Sequence, residues 1–192
     1  IEKLESEKSS YWYPTTQMER DSDLWMERDY TSLGVFSADG FYSRRNLLMC
    51  SFARQAIMES PSAMRRSLWF WFQSVLMGFS LVNRYRARGF SQVNQILSGT
   101  LYIGASTAEI SPWYALAGKI SRFRVIDFRK PINPLVLTTS SARLEIPHES
   151  LDYVFIDPPF GSNIIYSDLS FLWEAWLGLT THLDSEAVVH RR

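Results

Sequence analysis

Between Arg44 and Glu59 the apolar residues Leu47, Leu48, Phe52, Ala56 and Ile57 return at the spacing of one helical face, and Ser43 stands before them as an N-cap. That spacing predicts a helix. After the break "SPSAMRR", a denser apolar run predicts a second helix from about Met64 to Val82. Gln73, Ser74, Gly78 and Ser80 interrupt this run, and it is too short for a membrane span, so a buried helix is expected. In "SPWYALAGKI", Ser111 as cap and Pro112 at the first position mark a third helix. "DLSFLWEAWLGL" marks a fourth, with Leu169, Leu172, Trp173, Trp176 and Leu177 on one face and Gly178 near its end.

Three shorter runs have a different pattern. "FRVIDF", "PLVLTTSS" and "LDYVFID" are β-forming, and the last is continuously apolar, as a strand covered on both faces would be. "NRYRARGFSQVNQILSGTLYIG" reads as loop with short strands. Strands alternating with helices predict an α/β sheet. Residues 1–10 are charged and read as a linker or the end of a preceding element; 11–122 form a helical or inserted region with possible DNA contacts; 123–192 hold the candidate catalytic part.

Composition narrows the picture. With 192 residues, 46% of them hydrophobic, the chain can bury a core, so it is not a disordered tail. Lys plus Arg and Asp plus Glu stand at 20 each, so any attraction to a polyanion has to be local. The single cysteine, Cys50, excludes an internal disulfide and a cysteine-rich zinc site, and no metal site is expected. A cytoplasmic setting follows from that cysteine usage, and no membrane partner is expected.

The chemistry concentrates in "VFIDPPFGSN". In an open α/β sheet, ligands sit beyond the carboxyl ends of the strands, where Asp157, Pro158, Pro159 and Phe160 would fall. The prolines have fixed φ and no N–H, so the turn offers carbonyl acceptors and no competing donors. Asp157 adds carboxylate oxygens. Such a cluster suits an exocyclic amine of adenine or cytosine, and Phe160 offers a face for stacking. Hydrogen bonds from the amine to Asp157 and to the Pro158 carbonyl would favour pyramidal nitrogen and free its lone pair. The base would first have to leave its duplex stack. Taken alone, the four residues are equally well a rigid turn after a strand.

The longer stretch "DYVFIDPPFGSNIIYSDLSFLWEAWLG" resembles the amino-methylating DNA methyltransferases, and within them a bacterial "DNA methylase" group with a DPPF motif. "YWYP", "FYSRRNL", "NRYR" and "LSGTLYI" also look like segments of that group, in the same order. The resemblance implies a Rossmann-like methyltransferase fold, S-adenosylmethionine as cofactor, DNA as partner and a restriction or defence setting. It assigns Asp157, Pro158, Pro159 and Phe160 to the target base, with Ser140 and Asp157 beside the donor. Asn163 and Tyr166 would order the loop or line the pocket, or simply pack it. Arg84 and Arg86, interleaved with Tyr85, are candidates for DNA phosphates, or belong to a solvated loop.

The pattern is also broken. No Gly-x-Gly pair occurs among the nine glycines, although the donor-binding loop of this superfamily is Gly-rich, and the first residue is Ile1 rather than Met. The expectation is a fragment that holds the base but binds the donor weakly or not at all. Adenine is preferred over cytosine because Asp opens the motif. Alternatives are a methyltransferase acting on RNA or protein glutamine, and an inactive DNA-binding or interaction module. The oligomeric state is not legible.

Overall fold

The computed structural model describes residues 11–18, 30–88, 95–97, 99–123, 144–157 and 165–181. Four helices organise them: α1 (Arg44–Glu59), α2 (Ser62–Leu76), α3 (Pro112–Phe123) and α4 (Tyr166–Leu177). Short 3-10 turns at Ala38–Phe41 and Met77–Phe79 lead into α1 and out of α2. No described helix is long and apolar enough to cross a membrane.

Each helix boundary has a local cause. At α1 the Asn46 N–H donates to the Ser43 hydroxyl at 3.4 Å, satisfying one of the donors that a helix start leaves open. Pro112 opens α3, where its missing N–H costs nothing. At the end of α4, Gly178 takes φ 72°. That left-handed turn lets the Gly178 N–H donate to the Ala175 carbonyl at 3.2 Å and the Leu179 N–H to the Glu174 carbonyl at 2.9 Å. The second helix ends at Leu76 rather than Val82, because Met77–Phe79 tighten into a 3-10 turn closed by the Ser80 N–H on the Met77 carbonyl.

Trp176 sits at the centre of the core, fully buried on α4. Its indole meets Tyr42, Phe72 and Trp12 edge-on, at centroid distances of 5.8, 5.7 and 6.3 Å. One side chain thereby joins the N-terminal segment, the approach to α1, helix α2 and its own helix. Aromatic pairs of this geometry add about 0.5–1.5 kcal/mol each beyond area burial. Leu172 and Ala175 are buried beside it, Leu169 and Trp173 are partly buried, and Leu177 is exposed. Buried amides hold the layers in register. Asn46, on α1, donates to the Phe79 carbonyl at 2.9 Å and the Ile110 carbonyl at 3.1 Å, tying α1 to the segments that follow α2 and precede α3.

The expected α/β, Rossmann-like fold is overturned. The regular structure of the described residues is helical, with no β-strand and no sheet. Extended pairing is limited there to isolated antiparallel bridges, Gln17 with Ser37, Tyr42 with Ser80 and Arg84 with Thr107. Of the three expected strands, "PLVLTTSS" lies outside the described residues, as does "FRVIDF" from Arg124 onward, while Phe123 ends α3. The third, Leu151 to Asp157, is irregular and joins no ladder, and its Tyr153 and Phe155 are 81% and 80% exposed. The physical reason is that a continuous apolar run carries no periodicity of its own. It becomes a strand only where neighbours satisfy its edges and cover its faces.

Candidate functional site

Asp157 lies at the end of this exposed, irregular segment, on the surface. Pro158, Pro159, Phe160, Asn163 and Ser140 lie outside the described residues. Tyr166 opens α4 with its ring 50% exposed, and its carbonyl accepts from the Ser170 hydroxyl one turn later. Asp157 and Tyr166 therefore bracket the motif from its two ends.

Behind Tyr166, α4 turns two polar residues inward, Ser167 and Asp168, both buried. They line a cavity of about 60 Å³ together with Thr16, Phe171, Glu174 and Thr181. Glu174 is held there, accepting from the Thr181 N–H at 2.8 Å and the Thr181 hydroxyl at 2.6 Å. These bonds fasten the segment after α4 back onto the helix.

Arg84 and Arg86 are brought together by one partner. The Arg84 Nε donates to the Gln95 carbonyl at 3.2 Å, and Arg86 Nη1 reaches the Gln95 side-chain oxygen at 3.5 Å. The fully buried Asn83 anchors this loop. Its Nδ2 donates to the Ala108 carbonyl at 2.9 Å, and its Oδ1 accepts from the Gln95 N–H at 2.7 Å. Arg84 is half-buried and committed to that frame, while Tyr85, Arg86 and Arg88 are exposed. The loop presents an aromatic ring and cationic groups from a fixed base.

Asn83 and Asn46 escape a reading of the sequence. A short amide at a turn or within a helix carries no signal of burial until its carbonyl partners are known. The signal available at Asn83 is its place immediately after the apolar run that ends at Val82.

Burial controls the titrating groups of the core. Desolvation holds the Tyr42 phenol well above its ordinary range, with the neighbouring Cys50 adding to the effect. It likewise pushes the buried Cys50 thiol up, so the thiolate needed for nucleophilic or metal chemistry is suppressed. Arg54 stacks 3.7 Å above the Trp12 ring, and partial burial lowers its guanidinium. Among the described residues no group of His, Cys, Asp and Glu gathers to hold a metal ion.

Neither of two cavities formed by these helices fits S-adenosylmethionine. The cavity beside α4 is far below the roughly 300 Å³ at which pockets for ligands of such size begin. A second cavity, about 230 Å³ between α1, α2 and α3, is lined by apolar side chains and offers nothing to bind an amino-acid carboxylate or a ribose. Comparison with protein-family models, with curated proteins and with solved structures finds no match for this chain.

Proposed function

We propose that this chain supplies the base-holding residues of an amino-methylating DNA methyltransferase, with adenine its preferred target. The observation that carries the reading is "DPPF" followed by "GSNIIYSDLSFLWEAWLG", with Asp157 exposed before the motif and Tyr166 exposed after it. A base swung out of its stack would place its amine against Asp157, whose carboxylate accepts one N–H while the Pro158 carbonyl accepts the other. Phe160 would stack on the ring, a contact worth about 1–3 kcal/mol. Tyr85, Arg86 and Arg88 supply a ring and local positive charge for the phosphate backbone, which a neutral chain can offer only in patches. The donor, S-adenosylmethionine by the same resemblance, finds no fitting cavity among the described residues, so no step of this reading runs through it.

The test needs no turnover. With 2-aminopurine placed beside a mismatched adenine in a DNA duplex, the full chain should raise its fluorescence as the adenine leaves the stack. Asp157→Ala should reduce that rise by about ten-fold, the loss of one charge-assisted hydrogen bond. No rise with the unsubstituted chain, or an equal rise with Asp157→Ala, removes Asp157 from this role. Calorimetric titration with S-adenosylmethionine should show no micromolar binding. Micromolar binding would overturn the division between base and donor.

A second reading has its own support. The helical body with an apolar groove and no donor-sized polar cavity among the described residues suits a binding module without catalysis. It predicts DNA or protein binding that is indifferent to Asp157→Ala.

A further inference from the structure

The cavity of about 230 Å³ is a groove that no part of the base-holding reading uses. It lies between α1, α2 and α3. Phe52 and Ala56 from α1, Leu68 from α2, and Trp113, Leu116 and Ile120 from α3 are among its walls. Along α1 and α3 these residues repeat at three- and four-residue spacing, so each helix turns one apolar stripe toward the groove. Several walls remain open to water: Trp113 is 68% exposed and Phe52 50%. One donor of the walls, the Trp71 indole N–H, is committed to the Leu116 carbonyl at 3.0 Å.

Charge on the helices that wall the groove is mostly positive, α1 carrying Arg44, Arg45 and Arg54 against Glu59. Helices α2 and α3 carry Arg65, Arg66, Lys119 and Arg122 and contain neither Asp nor Glu. Arg66 and Arg122 are exposed, and Arg65 and Lys119 are half-buried. In a chain with equal numbers of acidic and basic residues this is a local excess of positive charge on the helices that frame an apolar floor.

Those two properties select an occupant. We propose that the groove receives an acidic amphipathic helix of a partner protein, with apolar anchors at i, i+3 or i+4, and i+7 in the floor and Asp or Glu toward the rim. The volume exceeds the ~150 Å³ apolar cavity that holds one benzene ring, so it seats an aromatic anchor with an aliphatic one beside it. A second copy of this chain would bring like-charged rims together, which disfavours a two-fold contact through this face. A bilayer needs a protruding apolar surface rather than a concave one. Nucleic acid needs donors along the floor, and the floor is apolar.

The experiment is display selection of helical peptides against the full chain, followed by anisotropy titration of the strongest labelled peptide. The selected sequences should share apolar anchors at helical spacing and acidic flanks. Ala56→Trp, at an exposed position, should fill the groove and weaken the peptide by about ten-fold or more, with an unchanged melting curve. The double reversal Arg66→Glu and Lys119→Glu should weaken it several-fold and flatten its salt dependence. Four outcomes overturn the proposal: no selected helix, selected sequences without acidic bias, binding indifferent to both variants, or a different occupant displaced by Ala56→Trp. That last outcome would appear as self-association in sedimentation, or as flotation with phosphatidylserine vesicles, in the unsubstituted chain alone.

Discussion

Trp176 and Phe155 are both large aromatic residues in apolar stretches, and they have opposite fates. Trp176 is fully buried among Tyr42, Phe72 and Trp12, whereas Phe155 is 80% exposed in an irregular segment that joins no ladder. The difference is not hydrophobicity. Around Trp176 the apolar residues recur on one face of a helix whose backbone already satisfies its own polar groups, so the face can be buried without further hydrogen bonds. Around Phe155 the run is apolar on both faces and has edges to satisfy, so burial waits for partners that the described residues do not provide.

Substitution at these two positions is the most direct way to break the comparison. Trp176→Ala should cost about 3–5 kcal/mol in denaturant unfolding, from lost burial plus the cavity left behind. Phe155→Ala should change stability by no more than about 0.5 kcal/mol. A comparable loss at both sites would show that the 151–157 segment is buried in solution.

The buried amide sharpens the contrast between packing and polar registration. Asn46→Ala leaves the Phe79 and Ile110 carbonyls without its two donors, and should cost about 1–3 kcal/mol. The same melt applied to Gln55→Ala on the same helix, which loses only a solvent-exposed hydrogen bond to Glu59, should show a small fraction of that loss.

Alkaline titration probes the core more gently. The Tyr42 phenol and Cys50 thiol are raised in the folded chain, so they stay protonated there while the unfolded chain loses its protons above about pH 9 to 10. Their contribution is complete below that range and falls as pH rises, with a slope of up to about 1.4 kcal/mol per pH unit for each group. Tyr42→Phe should flatten the alkaline limb of a stability–pH curve, leaving neutral behaviour close to unchanged. An unchanged limb in Tyr42→Phe would remove burial of this phenol as the cause.

Helices were legible because their signals are local. Ser43, Pro112 and Gly178 mark boundaries through hydrogen bonds or φ angles set within a few residues, and the structure uses all three as the sequence implies. The α1 face was only partly legible: Leu47 and Ile57 are buried as expected, but Phe52 faces the groove, and Cys50 and Asn46 are buried in the core. Periodicity fixes which residues share a face, while the position of neighbouring helices decides which face is covered. The sheet could not be read in this way, since pairing is a property of distant segments. Of the candidate site, Asp157 and Tyr166 are placed at the surface and Arg84 proves half-buried against Gln95, a contact across the loop that no short window of sequence contains.

Asn83 ties together the two ends of the connection between Arg84 and Gln95, since it adjoins Arg84 and accepts from the Gln95 N–H, while its Nδ2 donates to the Ala108 carbonyl beyond it. Closing a loop at such a clasp makes its length nearly free, since doubling the residues between fixed ends adds only about 0.6 kcal/mol of entropy. The basic, aromatic loop can thus be lengthened or rewritten by insertion without disturbing the helices beneath it, which leaves room for one scaffold to acquire different recognition surfaces.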